Sequence, residues 1–252
     1  KHFGYAIQDK TLPSIADVFR EVEADSINFG VVPIENSTEG VISNTLDNFI
    51  DSPLKVCGEV SLRIHHHLLG KAGKISDIKR VYSHQQSLAQ CRGWLDRHLP
   101  HAERIAVGSN AEAARLVKDQ PDAAAIASET AAEIYGLAIL APNIEDEAGN
   151  TTRFLVIGKQ EVPPSGADKT SLLITSKNEA GGLHRLLSPL AEHGISMTRI
   201  ESRPSRRGVW DYVFFIDIDG HAEDARIAAA LAALEKSAGL FRNLGSYPKA
   251  VL

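Results

Sequence analysis

The residues best suited to chemistry stand together in one stretch, Gly149-Asn150-Thr151-Thr152-Arg153-Phe154, which runs into Leu155-Val156-Ile157-Gly158. The second half is apolar and β-branched and reads as a buried strand. The first half, with Gly149 and Asn150 as turn residues, reads as the loop entering it. Thr152 and Arg153 therefore fall where an irregular, hydrated segment becomes a rigid one, a favourable place for a catalytic or binding group. A threonine hydroxyl donates one hydrogen bond and accepts another, and a guanidinium beside it can hold a carboxylate. The plain alternative is a loop threonine bonded to its own backbone beside a solvated arginine. Taken alone, these residue types favour that alternative, so the decision rests on what surrounds them.

Composition removes several function classes. The chain has 252 residues, 43% of them hydrophobic, enough for a substantial core and for two domains or more. No run of about eighteen apolar residues occurs, so no segment is expected to span a membrane. A net charge of −5 and the lack of a dense Lys/Arg block argue against a nucleic-acid surface. They do not argue against a small anionic ligand, which local groups decide. No zinc-type Cys/His spacing is present, and no metal site is expected. His65-His66-His67 reads as structural, because neighbours on a strand point to alternate faces and cannot chelate together. Cys57 and Cys91 fall on segments read as strand and helix. Free thiols in a reducing cytoplasmic compartment are expected, with a disulfide left open. The opening Lys1-His2-Phe3-Gly4 lacks the apolar region of a secretory signal and reads as the start of an internal piece of a longer protein.

The elements that must position Thr152 follow in order. Ser14 is expected to cap a helix through Val18, Phe19 and Val22. Residues 28–34 read as a buried strand that empties into the polar loop Glu35-Asn36-Ser37-Thr38-Glu39-Gly40, followed by a helix over 41–50. Strand, polar loop and helix in that order aim side chains and free helix N–H groups at a ligand. Residues 57–69 form a β-rich run longer than one strand needs, as in a crossing between lobes. A strand at 79–83 leads at His84 into a helix that continues through Trp94 and Leu95. Then come a strand at 105–107, a helix at 110–117, a strand at 123–127 and a helix capped by Ser128. This alternation predicts a parallel-leaning α/β sheet with helices on both faces. It also gathers the loops at Glu35, Ser83 and Ser128 at strand ends, where such sheets bind ligands. Thr152 precedes its strand, and joins that rim if the strand runs antiparallel. Residues 161–167 are a Pro/Gly linker. Beyond it, strands at 170–175, 195–202, 210–218 and 240–246 with helices at 182–193 and 224–236 spell βαββαβ, the ferredoxin-like pattern. Arg206 and Arg207 are expected in the solvated hairpin loop at 204–208.

Two motifs mark this last unit, Gly181-Gly182-Leu183 at its first strand-to-helix turn and Glu201-Ser202-Arg203-Pro204 at the end of its second strand. Together they resemble the ACT regulatory domain of prephenate dehydratases. Pro33-Ile34-Glu35-Asn36-Ser37, Tyr82-Ser83-His84 and Asn150-Thr151-Thr152-Arg153-Phe154 resemble that family's dehydratase motifs, in the expected order. The resemblance implies an α/β fold: a two-lobed, binding-protein-like dehydratase domain over residues 1–160 with its active site in the cleft, a linker at 161–168, and a ferredoxin-like ACT domain over 169–252. It implies decarboxylating dehydration of prephenate to phenylpyruvate in phenylalanine biosynthesis, with no metal and no organic cofactor.

By the same resemblance, Thr152 hydrogen-bonds the departing ring hydroxyl, Glu35 and Asn36 are the family's Glu-Asn pair, and Ser83 and Gln90 hold substrate. Arg153 is either a carboxylate partner or structural, and Ser128 and Ser37 are further substrate contacts. Phenylalanine is implied as effector, bound between the ACT domains of paired subunits at Gly181, Gly182, Leu183, Glu201, Ser202, Arg203 and Pro204. A homodimer or homotetramer follows. The plain counterparts are Glu35 and Asn36 capping the next helix, Ser83 and Ser128 as N-caps, Gln90 as a solvated residue and Gly181-Gly182 as a tight turn.

The chain departs from the family at its start, where a strand and a Gly-Pro-x-Gly-Thr-Phe-type loop find no counterpart. The expectation is a longer natural protein, with room for a chorismate mutase domain ahead of this stretch. Gln85 stands where proline is usual, and Gly182 where alanine is common. Two other readings compete with the enzyme: a non-catalytic amino-acid-sensing binding protein of the same fold, and a dehydratase acting on arogenate. The set Thr152, Asn36, Ser83 and Gln90 separates an enzyme from a sensor, which has no need of it.

Overall fold

Ser14 opens the first helix as expected. In the computed structural model, which describes residues 7–38, 40–71, 73–176, 179–205 and 211–250, its hydroxyl accepts the Asp17 N–H and starts α1 (Ile15–Glu23), whose apolar stripe buries Phe19 and Val22. Strand β1 (Gly30–Asn36) runs two residues further than expected. Glu35 and Asn36 are its last rungs, because each pairs on both sides: with Val41 and Gly40 of β2 (Gly40–Val41), and with Arg153 and Thr152 of a later strand. That pairing shortens the polar loop and delays α2 (Ser43–Asp51), whose N-cap position, Ile42, has no side-chain cap. Glu35 and Asn36 therefore do not cap it. Glu39 of that loop, Lys1-His2-Phe3-Gly4, Arg206, Arg207 and Gly208 of the expected hairpin loop, and Trp210 lie outside the described residues.

The β-rich run expected over 57–69 divides into β3 (Lys55–Arg63) and β4 (His67–Gly70). Between them the Ile64 N–H donates to Asn150 O and the His66 N–H to Glu145. The next elements are β5 (Arg80–His84), α3 (Gln85–Gln90), α4 (Arg92–His98), β6 (Glu103–Val107), α5 (Asn110–Val117), β7 (Ala123–Ala127), α6 (Glu129–Tyr135) and β8 (Ala138–Ala141). One helix expected from His84 through Leu95 is two, broken at Cys91. The Asp146 carboxylate accepts the N–H groups of Gly93 and Trp94 and so caps α4 separately. The five-stranded sheet has the order β6-β5-β7-β4-β8. β6, β5, β7 and β8 run in one direction and β4 runs against them, antiparallel to both β7 and β8, so the parallel-leaning expectation holds for four strands of five. Helices cover both faces: Ala124 and Ile126 of β7 join one apolar cluster with Leu95 and Leu99, while Ala123, Ala125 and Ala127 join another with Ala113, Ala114 and Val117.

The chain returns through β9 (Thr151–Gly158), antiparallel to β1 in a sheet of order β2-β1-β9-β3. After the linker come β10 (Asp168–Thr175), α7 (Gly182–Glu192), β11 (Met197–Pro204), β12 (Tyr212–Asp219), α8 (Ala225–Ser237) and β13 (Leu240–Pro248). Their sheet, β11-β12-β10-β13, is antiparallel throughout. One face, with Leu172, Ile174, Ile216 and Ile218, packs on α7 and α8. The other face, with Leu173, Val213, Phe215, Leu244 and Tyr247, shares a core with Phe19, Val32, Ile34, Leu46 and Phe49 of the first lobe. The linker is thus no break in packing. The compact units are Lys1–Leu62 with Thr152–Leu252, and Arg63–Thr151. Among the described residues no helix is long and apolar enough to cross a membrane.

Gly245 makes this shared core close. It has φ +138°, and a Cβ there would lie 2.3 Å from Val56 O. Gly245→Ala is expected to lower unfolding free energy by about 3 kcal/mol, combining backbone strain with overpacking against a main chain that cannot swing away. A urea midpoint checks it.

Candidate active site

The register of β1 against β9 decides which residues meet. Asn36 stands opposite Thr152 and Glu35 opposite Arg153, and successive strand residues face opposite sides. On one side, Asn36 Nδ2 donates to Thr152 Oγ1 at 2.8 Å, with both side chains buried. The amide is oriented by the Thr38 N–H, which donates to Asn36 Oδ1 at 3.0 Å. An amide nitrogen can only donate, so Thr152 Oγ1 is the acceptor and its own proton points elsewhere. No acceptor for that proton is present among the described residues. The arrangement is a neutral hydroxyl whose accepting side is engaged by Asn36. Ser37, exposed in the turn that follows, is the nearest further hydroxyl in sequence.

The other side of the same rungs carries charge. Arg153 Nε reaches Glu59 Oε2 at 2.7 Å, and its Nη2 reaches Asp217 Oδ2 at 2.7 Å and the Tyr247 hydroxyl at 3.3 Å. Burial works against this guanidinium, but Asp217, Tyr247 and Glu59 outweigh it and push its pKa above the ordinary value. Arg153 is therefore a structural residue joining the first lobe to the C-terminal sheet, which corrects the expectation of a substrate carboxylate partner. Glu35, expected among the catalytic residues, is on this side too, away from Thr152, with Oε2 3.9 Å from Arg153 Nη1.

Glu59 is nearly buried and receives Lys169 Nζ at 3.0 Å and the Ala250 N–H at 2.9 Å as well. Burial alone would raise its carboxyl, but Arg153, the Ala250 N–H and Lys169 hold it below the ordinary 4.5. A carboxyl whose pKa is lower folded than unfolded contributes its stability in full above the unfolded value and loses it as pH falls through the folded one. The urea midpoint is thus expected to drop as pH goes below 4.5, and to drop less in Glu59→Gln, which starts lower at neutral pH.

The remaining expected residues lie in the second unit. Ser83 is fully buried, with Oγ 2.8 Å from both Asn110 Oδ1 and Ile126 O. It holds the β5–α5 corner and presents no hydroxyl outward, a correction to its expected substrate role. Ser128 accepts the Ala131 N–H and caps α6, so the plain reading of this residue is the observed one. Gln90 does have a directed amide: its Oε1 lies 2.7 Å from His66 Nε2 and 3.3 Å from Asn150 Nδ2. The three histidines go to separate partners, His65 to Glu145, His66 to Gln90 and His67 to the Asn143 N–H. Among the described residues no group of three ligands suits a metal ion. Cys57 and Cys91 are both free. Burial pushes the Cys57 thiol up to about 11 and the Cys91 thiol higher still, which leaves neither as a nucleophile at neutral pH.

In the C-terminal unit, Gly181 takes φ +73° at the start of α7, and the Gly182 N–H is used by Glu179 O at 2.9 Å. The pleat of β11 divides its motif. Ser202 and Pro204 are exposed, while Glu201 and Arg203 stand opposite Phe215 and Val213, on the face that meets the first lobe. Arg203 holds Asp47 through Nε and Nη2 at 3.0 and 2.9 Å and Ser43 Oγ through Nη1 at 3.0 Å. It belongs to the joint between lobe and C-terminal unit, which corrects its expected place among the effector contacts. Arg242 completes that joint, donating to the carbonyls of Phe49, Ile50 and Ser52 at the end of α2. Asp47, Glu59, Arg199, Asp217, Arg242 and Tyr247 were not singled out from the sequence. The period-2 spacing of Arg199, Glu201 and Arg203 was the one local signal that they share a face.

The sequence profile of the family described as prephenate dehydratase matches residues 1–162, and that of the ACT domain matches residues 170–236. A bifunctional chorismate mutase/prephenate dehydratase of Stutzerimonas stutzeri is 56% identical over 253 residues, covering 100% of this chain and 69% of its own length. Among solved structures, the prephenate dehydratase of Arthrobacter aurescens in complex with L-Phe superposes with a TM-score of 0.85 at 37% identity, covering 95% of this chain and 81% of that one. GqqA, described as a novel type of quorum quenching acylase, also superposes with a TM-score of 0.85, at 30% identity over 95% of this chain and 88% of its own.

Proposed function

The chain belongs to the prephenate dehydratase family and is an enzyme of that class, and from this premise we propose that Thr152 donates the hydrogen bond that releases the ring hydroxyl of prephenate. The reaction takes up one proton: the hydroxyl leaves as water, the ring carboxylate leaves as carbon dioxide, and the electron pair of the broken carbon–carbon bond completes the aromatic ring of phenylpyruvate. Aromatisation supplies the driving force, so the protein needs chiefly to stabilise the leaving oxygen. The observation that carries the reading is the 2.8 Å bond from Asn36 Nδ2 to Thr152 Oγ1. It occupies the threonine's acceptor side and leaves its proton for the substrate. In a nearly dry site such a donor is stronger than in water. Ser37, exposed in the adjoining turn, is proposed as a further substrate contact.

The ring hydroxyl is common to prephenate and arogenate, and the family likeness favours prephenate. Phenylalanine is the proposed effector, as in the Arthrobacter aurescens structure that holds it. Its contacts are assigned to Gly181, Gly182 and Leu183 at the start of α7 and to Ser202 and Pro204 on the exposed side of β11. That strand is the edge of its sheet, with Met197 and Ile200 exposed, which supports pairing of two copies there, as a homodimer or within a homotetramer. Two free thiols support a reducing, cytoplasmic setting. The test is phenylpyruvate formation from prephenate with phenylalanine titrated in. Turnover that phenylalanine suppresses supports the reading; phenylalanine binding without turnover of prephenate or arogenate replaces it with the sensor.

A further inference from the structure

We propose that Arg199 is a positioning residue: acting through Glu35, it sets how Asn36 is seated against Thr152 and carries the effector's signal to that pair. The inference rests on the assignments of Thr152 and of the effector contacts given above.

Arg199 stands on β11 two residues before Glu201, opposite Asp217, on the face that meets the first lobe. Its side chain is only 10% exposed, and Nε and Nη2 are buried with no hydrogen-bond partner among the described residues. The nearest carboxylate oxygen to Nε is Glu35 Oε2 at 3.8 Å, and the same oxygen lies 3.9 Å from Arg153 Nη1. Both separations are ion-pair contacts beyond hydrogen-bond reach, which ends near 3.2 Å for N–H···O. A buried guanidinium N–H without an acceptor is unfavourable, so this pair has a second arrangement close by, in which the fork closes on the carboxylate. A displacement of β11 by less than an ångström or so separates a loose contact from a closed one.

Glu35 is well placed to pass that displacement on. It is bonded into both neighbouring strands and its backbone continues directly into Asn36. Arg203, on the same face of β11, grips Asp47 and Ser43 at the start of α2. The segment from Glu35 to α2 is thus held by β11 at two points, Arg199 at one end and Arg203 at the other. An effector at Ser202 and Pro204 acts on the opposite side of that strand. Coupling of this kind requires an element with two discrete pairings that both sites bias, and the Arg199–Glu35 contact is such an element.

The competing account makes Arg199 a balancing charge. Arg153, Arg199 and Lys169 face Glu35, Glu59 and Asp217, three of each sign. A balancing role predicts lost stability with inhibition intact. The full chain is therefore compared with Arg199→Met, Arg199→Lys and Glu35→Gln by turnover, phenylalanine titration and direct calorimetric binding of phenylalanine. Arg199→Met is expected still to bind phenylalanine, with an affinity changed by no more than the coupling it removes, to lose kcat on the order of tenfold at unchanged KM, and to shrink the effector's coupling, commonly about 5–150-fold, to below about twofold. Arg199→Lys recovers part of both, because a cation still faces Glu35. Glu35→Gln reproduces Arg199→Met, and with Glu35 40% exposed it keeps the test alive should Arg199→Met fail to fold. Wild-type kcat together with full inhibition in either Arg199→Met or Glu35→Gln overturns the proposal. A raised KM at unchanged kcat also overturns it, by making these residues substrate contacts. If Thr152→Val retains activity, the underlying reading fails; if it loses activity while Arg199→Met behaves as wild type, this inference alone fails.

Discussion

Thr152→Val, which keeps the side-chain shape and removes the hydroxyl, is expected to lower kcat for prephenate by roughly 10²–10⁴-fold, with Thr152→Ser within about tenfold of wild type. The size follows from the role. If the hydroxyl merely filled space, valine would be the better tenant of a buried site, and kcat would stay put. If it donates to the leaving oxygen, the interaction is strongest when that oxygen carries most charge, so the loss falls on kcat and kcat/KM together and little on KM. Thr152→Val also removes the bond from Asn36 Nδ2 to Thr152 Oγ1, worth about 1 kcal/mol of stability. The kinetics are therefore read well below the melting transition, and serine, which restores the oxygen, is the control for both effects.

Arg153→Met is expected to produce the largest loss of stability, about 3–5 kcal/mol, as is usual when one partner of a buried ion pair is removed. Glu59 and Asp217 would both remain, each nearly buried, with Lys169 and the Ala250 N–H left to Glu59 and the Ser171 hydroxyl to Asp217. Arg153→Lys should recover little, because a single ammonium cannot span two carboxylates held at 2.7 Å by different nitrogens of one fork. The deficit relative to wild type should narrow as pH falls below the carboxylate range, since the stranded acids then take up protons. Chemical denaturation of the variants over pH 3 to 8 would check this; the limits are chosen to bracket the ordinary carboxylate value of about 4. Unchanged stability with a strongly raised KM would return Arg153 to the substrate.

These two expectations separate because neighbouring residues of one strand face different partners, and that separation was only half legible in the sequence. The Ser14 cap, the βαββαβ unit and the helix capped by Ser128 were readable because their signals lie within a few residues. The end of β1 was not. Glu35 and Asn36 are polar and look like a loop, and they are strand only because β9 returns antiparallel beside them. The partners of Arg153 lie 94 and 64 residues away along the chain, and the break at Cys91 is made by an aspartate about fifty residues downstream. No local pattern announces such contacts. One signal was present and unread: Leu172-Leu173-Ile174 is continuously apolar, the mark of a strand buried on both faces. It foretold that the C-terminal sheet would be covered by helices on one side and by the first lobe on the other.

Fold likeness carries less than these residues do. A prephenate dehydratase and a protein described as an acylase superpose on this chain equally well, so the backbone admits more than one chemistry. The proposed chemistry rests instead on one amide and one hydroxyl held 2.8 Å apart on one side of a strand pair, with the charged residues on the other.

The most direct measurement is kcat for prephenate in a double-mutant cycle of Asn36→Leu and Thr152→Val. If the two side chains form a single device, the double variant is no slower than Thr152→Val alone, because without the hydroxyl the amide has nothing to orient. If the two losses multiply, Asn36 and Thr152 act independently, and the account of a threonine aimed by its neighbour is wrong.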